Sequence, residues 1–215
     1  MRALRTFFLL LTGFYGLTLC GCAHTAAKSL APPTKDTTAM KNPEAHAAIR
    51  LTISAEEIGR RFLKLISGLE SRQDISPARI QEIMGFPVSV APGALGAVVW
   101  SEDLGGGWRY SFDYIPESPS LLAGVGLSFE HQTNQFSDMK EVCHLDFNHY
   151  DNALKNMGFV ASPTYGPIGQ LENWRYAKFA KNNSGGDIVI SVIPQSIAAE
   201  SEAVCVKSIS TLNGR

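Results

Sequence analysis

The segment Trp108-Arg109-Tyr110-Ser111-Phe112-Asp113-Tyr114 decides the fold, because large aromatic residues alternate in it with polar ones. Successive side chains of a β-strand point to opposite faces, so this pattern predicts a strand with one apolar face. The preceding Gly105-Gly106-Gly107 predicts a hairpin turn, since a glycine loop that binds phosphate needs a helix after it. The aromatic side chains leave two alternatives open, a core beneath a helix or an exposed recognition face. This candidate binding face consists of Trp108, Tyr110, Phe112 and Tyr114.

Other segments with strand character surround this one. They are rich in apolar and β-branched residues and lie between turns that contain glycine, proline or asparagine. We predict further strands at 97–101, 121–130, 141–146, 174–179, 188–194 and 204–212.

Three segments have the signals of helices instead. The first begins at Ser54, with Glu57 three residues later and apolar residues at helical spacing after it. The second begins at Ser76-Pro77 and ends at Gly85, and the third covers about 147–157 with Asp146 or Asn148 as its cap. We expect the apolar stripes of these helices to be core, and not a docking surface.

Three landmarks recur in the same order in the two halves of the chain. They are the end of a helix, the start of a strand ladder and a cysteine in a final strand: Met84-Gly85-Phe86 and Met157-Gly158-Phe159, Trp108-Arg109-Tyr110 and Trp174-Arg175-Tyr176, Cys143 and Cys205. The sequence therefore predicts an α+β fold of two tandem units, 51–146 and 147–215. In each unit a helix or helical hairpin packs on a small antiparallel sheet.

This layout resembles the β-lactamase inhibitor protein fold, which has two tandem units of helices on an antiparallel sheet. It is also similar to small outer-membrane-assembly lipoproteins, which have one such unit. The resemblance covers about residues 54–212 in arrangement only, and the single cysteine in each unit departs from the inhibitor's disulfide within each unit. The resemblance implies a protein-binding role and assigns no functional residue.

The N-terminal segment has the pattern of an export signal. Arg2 and Arg5 precede an uncharged run, 7–19, which ends at Leu19-Cys20-Gly21-Cys22. This tetrad resembles the lipobox of bacterial lipoproteins, which implies that 1–21 is a cleaved signal peptide and that Cys22 carries the lipid. The alternative is a plain secretory signal or a short membrane helix, but the run is shorter than the roughly 20 residues of a membrane span.

The residues after the signal segment are expected to lie outside the membrane. The segment 22–50 is rich in Ala, Pro, Thr and Lys without an apolar period, so we expect a flexible tether behind the lipidated cysteine. Ala23 is not the aspartate that is associated with inner-membrane retention, so we expect the outer membrane, facing the periplasm, if the cell has two membranes. We expect membrane contact through the lipid only.

The formal net charge is −1 without a basic patch, which argues against a nucleic-acid partner.

Two cysteines remain beyond the expected lipidation site. Cys143 and Cys205 form an even pair in a compartment that permits disulfides, so we predict that they pair.

The sequence gives little sign of catalysis or metal binding. The densest polar cluster is Cys143-His144-Leu145-Asp146-Phe147-Asn148-His149, but a strand there would point His144 away from Cys143. There is no Gly-x-Ser-x-Gly elbow. We therefore expect no enzyme, no cofactor and no metal site.

The expected function is that of a lipid-anchored periplasmic module that binds a protein, whose identity the sequence does not give. An inhibitor or immunity-type protein that neutralises a hydrolase or toxin fits best. The alternatives are an accessory lipoprotein of outer-membrane or envelope assembly, and a small periplasmic hydrolase or metal-binding protein.

Overall fold

Polar caps define where the helices of the chain begin. A computed structural model of the protein describes residues 53–88, 96–180, 186–196 and 203–214. The helices are α1 Ala55–Ser67, α2 Pro77–Met84 and α3 Phe147–Asn156. The side chains of Ser54, Ser76 and Asp146 each accept a hydrogen bond from the backbone N–H three residues later. Gly85 ends α2 at φ 83°, in the left-handed region that glycine adopts without strain. The three predicted helices are confirmed.

The strands form one antiparallel sheet of seven. They are β1 Val98–Gly105, β2 Trp108–Ile115, β3 Gly124–His131, β4 Val160–Tyr165, β5 Leu171–Lys178, β6 Ile188–Ser196 and β7 Val204–Thr211. Their order in the sheet is β1-β2-β3-β7-β6-β5-β4, so β7 occupies the middle with three strands on each side. The mixed α+β class is confirmed. The division into two tandem units is not confirmed, because a single continuous sheet crosses the predicted boundary.

The aromatic residues of β2 form the centre of the core. Trp108, Tyr110, Phe112 and Tyr114 expose at most 6% of their surface. The Phe112 ring lies 6.4 Å from that of Phe62 on α1 and 5.4 Å from that of Phe86 after α2. This corrects the candidate binding face at these four residues: the helices cover them, so they present no surface to a partner.

Two predictions about strands differ from the structure. The segment 141–146 is not a strand, because Asp138 caps a 3-10 turn, Met139–Glu141, and the chain then bends towards α3. Its single ladder contact is a bridge between Asp146 and Cys205. β4 was not predicted, and it contains Pro163. Proline is tolerated here because β4 is an edge strand.

The ladder between β3 and β7 is the shortest in the sheet. It has three residue pairs, Gly126 with Ser210, Leu127 with Ile209 and Ser128 with Ser208. Beyond Ser210, the Thr211 hydroxyl accepts a hydrogen bond from the Val125 N–H. At this position a threonine side chain therefore replaces a backbone hydrogen bond between the two strands. We call this short ladder the seam.

The structure places Cys143 and Cys205 in a disulfide, as the sequence predicted, with their Cα atoms 5.4 Å apart. This bond attaches the segment before α3 to β7, one of the two strands of the seam.

Candidate functional site

The candidate site is the face of the sheet opposite the helices, which we call the open face. The three helices pack on the face that carries the core aromatic residues. Because side chains alternate along a strand, the residues between those aromatic ones project to the other side. In β2 these are Arg109, Ser111, Asp113 and Ile115, all of intermediate exposure. Among the described residues, no helix covers this face.

One row of residues runs across all seven strands of the open face. The strand registers pair its members one after another, and they are Val99, Asp113, Gly126, Ser210, Ser191, Arg175 and Ser162. Ser210 lies on β7, at the middle of the row. The three central members are glycine or serine, so the middle of this row carries only short side chains.

A second row is built almost entirely of serine. Ser101, Ser111, Ser128 and Ser208 are paired across β1, β2, β3 and β7. The hydroxyls of Ser101 and Ser111 lie 2.7 Å apart, within hydrogen-bond distance. Serine hydroxyls both donate and accept, so this row can bond to polar groups of either kind on a partner.

Two opposite charges lie on either side of the centre. The Asp113 side chain lies against Gly126, where any Cβ would meet its carboxylate oxygens. Burial raises the pKa of Asp113 above its ordinary value. Arg175 is exposed on β5. Neither side chain makes a hydrogen bond or ion pair with another residue in the described part of the chain.

Exposed apolar side chains lie at both edges of the open face and also beside its central strand. Val99 on β1 is 59% exposed, Val160 on β4 is 61% exposed, and Ile193 on β6 is 41% exposed. Val160 is paired with Ala177, and Ala177 with Val189. The face therefore combines short polar side chains with apolar contacts at both edges and beside β7.

The size of the open face suits a protein partner. Seven strands at about 4.8 Å spacing, each about eight residues long, give an area on the order of 800 Å². A standard protein–protein interface buries about 800 Å² on each partner.

A cleft beside the start of α1 is a second candidate site for chemistry. It has a volume of about 450 Å³ and is lined by Ser54, Asp103, Glu141 and His144 among others. The Ser54 hydroxyl is engaged in capping α1, and Cys143 next to His144 is in the disulfide. No group of three His, Cys, Asp or Glu residues in the described ranges could hold a metal ion. The cleft thus offers no nucleophile paired with a base.

Several predicted site residues fall elsewhere. Cys22, the signal segment 1–21 and the whole expected tether, 22–50, lie outside the described residues. Within the described residues, no helix is both long and apolar enough to cross a membrane. Sequence reasoning missed the open face, although its signal was present in the polar members of the β2 segment, Arg109, Ser111 and Asp113.

Comparison of the chain with protein-family models, with curated proteins and with solved structures finds no match.

Proposed function

We propose that this chain is a lipid-anchored protein-binding module of the cell envelope, and that it binds its partner through the open face. The observation that carries this proposal is a sheet face of interface size that no described helix covers. Asp113 and Arg175 form no ion pair with any described residue, and short side chains lie between them. An inhibitor or immunity-type protein, which neutralises a hydrolase or toxin, fits a surface of this kind. The proposal assigns no catalytic residue and no cofactor.

The N-terminal pattern supports the location. In this proposal 1–21 is removed, Cys22 carries the lipid, and 22–50 is the tether. The protein faces the periplasm from the outer membrane if the cell has two membranes. A tether confines the module to a shell near the membrane, which raises the effective concentration of module and partner for each other.

The two tandem units, 51–146 and 147–215, remain part of the proposal. The seam supports them, because the shortest ladder of the sheet joins the final strand of one unit to the final strand of the other. Trp108 and Trp174 begin matching segments on β2 and β5, which hold equivalent positions on the two sides of β7. A partner would then contact both units at once.

The experiment is affinity capture with a matched pair of variants. The bait begins at residue 22, carries Cys22→Ser to prevent lipidation, and is exported behind an ordinary cleavable signal. Ser210→Arg places a long charged side chain at the centre of the open face. Ser67→Arg makes the same change at an exposed position at the end of α1. Captured proteins are identified by mass spectrometry, and binding is then measured with the purified partner.

A single toxin-like enzyme that binds the unmodified bait and Ser67→Arg, but at least tenfold more weakly to Ser210→Arg, supports the proposal. Capture of a membrane-barrel complex with the same pattern indicates the assembly role instead. Equal binding by both variants would exclude the open face. If no protein is retained while the purified chain turns over an envelope substrate, the chain is a hydrolase and not a binder.

A further inference from the structure

Two opposite charges of the open face, Asp113 and Arg175, lie equally far from its central strand. β7 has three strands on each side, and Ser210 on β7 is the midpoint of the row that spans the sheet. Asp113 lies two strands from Ser210 on one side, through Gly126. Arg175 lies two strands from Ser210 on the other side, through Ser191. At about 4.8 Å per strand, the two charges are about 19 Å apart with Ser210 midway.

We infer that the face binds a second copy of this chain, in a symmetric dimer whose two open faces meet. This inference rests on the proposed function, because it names a partner for the same surface. A two-fold axis parallel to β7 and passing beside Ser210 brings β2 of one copy over β5 of the other. Since both charges lie in one row, each Asp113 then meets the partner's Arg175. The dimer therefore contains the same ion pair twice, as a self-complementary interface requires.

The residues between the charges allow the two faces to approach. Gly126, Ser191 and Ser210 leave only short side chains between the two charges. In the next row Ser128 and Ser208 are also short, and the exposed Ile193 follows them on β6. Two sheets in face-to-face contact lie about 10 Å apart. An arginine side chain from one sheet is long enough to reach a short aspartate on the other across that gap. Serine hydroxyls that meet on the axis can bond to each other, since each both donates and accepts.

The available area is sufficient for a stable dimer. Two open faces on the order of 800 Å² each give about 1,600 Å² in total, the size of a standard specific interface. The exposed valines Val99 and Val160 lie on the two edge strands, β1 and β4, which face each other across the same axis. A heterologous partner of the open face would have to displace the second copy.

Charge exchange tests the inference. The variants are Asp113→Arg and Arg175→Asp, alone, combined in one chain, and as an equimolar mixture of the two single variants. The protein begins at residue 22 with Cys22→Ser, and the dissociation constant of the dimer is measured by sedimentation equilibrium over a concentration series. Each single variant creates two like-charge contacts, so we expect the dissociation constant of the dimer to rise at least tenfold. The combined variant and the mixture restore opposite charges and should return to within about threefold of the unmodified value.

Matched controls are charge reversals on the helix side. Lys64→Glu and Glu82→Lys change exposed residues of α1 and α2, and both should leave the dissociation constant unchanged. Restoration by mixing also shows that the single variants are folded, since an unfolded chain could not pair.

Two outcomes overturn the inference: a protein that stays monomeric over the whole series, or a dimer that neither single variant weakens. If the protein is monomeric but still captures a partner, and Ser210→Arg weakens that capture, the dimer inference is wrong while the proposed function stands. A dimer with the expected charge response, together with no heterologous capture, leaves the dimer standing and overturns the inhibitor function.

Discussion

At the residue scale, a short turn after α1 positions two charged side chains. The carboxylate of Asp74 accepts hydrogen bonds from the N–H groups of Glu70 and Ser71, at 2.8 and 2.7 Å. Arg72 is 1% exposed and donates from one Nη to the Ala123 carbonyl and to the Asn213 side chain. Burial lowers the pKa of Arg72 to about 10. The turn thus places a buried guanidinium beside the end of the seam, where Asn213 also accepts from Thr211.

Asp74 should stabilise the protein only while it is ionised. Partial burial pushes its pKa up, but the N–H groups of Ser71 and Glu70 outweigh that effect, so the pKa lies below its ordinary value. We expect Asp74→Ala to lower the free energy of unfolding by about 1 kcal/mol at pH 7, as for other capping residues. The pKa is lower in the folded state, so the contribution is complete above the unfolded pKa of about 4 and is lost as the pH falls through the folded value.

Urea unfolding at pH 7 and at pH 3 measures this effect. The gap between the unmodified protein and Asp74→Ala should narrow at pH 3. Glu82→Ala, which removes an exposed carboxylate on α2, is the control and should show little difference at either pH. An undiminished gap at pH 3 would mean that Asp74 acts by packing and not by charge.

At the scale of elements, the disulfide reinforces the weakest junction of the sheet. Cys205 lies on β7 next to the seam, and the bond closes a sequence separation of 62 residues. We expect Cys143→Ala with Cys205→Ala to lower the free energy of unfolding by roughly 4 kcal/mol in the chain-entropy model. Denaturant unfolding measures the loss, and hydrogen exchange should become faster at Leu127 and Ile209 before it does at the β1–β2 ladder.

Either single cysteine variant should lose about as much as the double variant, because either change removes the bond. The unmodified protein under reducing conditions should match them. If the double variant is as stable as the oxidised protein, the disulfide does not stabilise the fold.

The sequence predicted the elements whose signals are local. Ser54 and Ser76 are caps, and the alternation in β2 predicted a strand with one apolar face. The strand predicted at 141–146 was wrong. Val142 and Leu145 are buried in an irregular segment, and such a segment has the same apolar composition as a strand. The central place of β7 could not be predicted, since it depends on pairing between residues far apart in the chain. The open face was missed for the same reason: Asp113 and Arg175 share a row only once five strands are aligned.

At the scale of the whole molecule, the proposed lipid anchor makes a direct prediction about location. Cys22→Ser should prevent lipidation and leave the protein soluble or unprocessed, because membrane contact is proposed to run through the lipid only. Membrane fractionation together with incorporation of labelled palmitate measures this. Cys20→Ser is the matched control, since Cys20 belongs to the part expected to be removed, and it should fractionate like the unmodified protein. Unchanged membrane association of Cys22→Ser would exclude the anchor.

The central position of β7 also determines the order in which the molecule can fold. β1, β2 and β3 pair as neighbours in sequence, as do β4, β5 and β6, so each group can form soon after its own residues are synthesised. β7 follows all six in the chain, yet it lies between the two groups. Until it is inserted, β3 and β6 each present an unpaired edge, the kind of edge that promotes aggregation. The two outer groups of strands can therefore form first. The exposed edges of β3 and β6 are covered only when β7, the last strand to be synthesised, pairs with both.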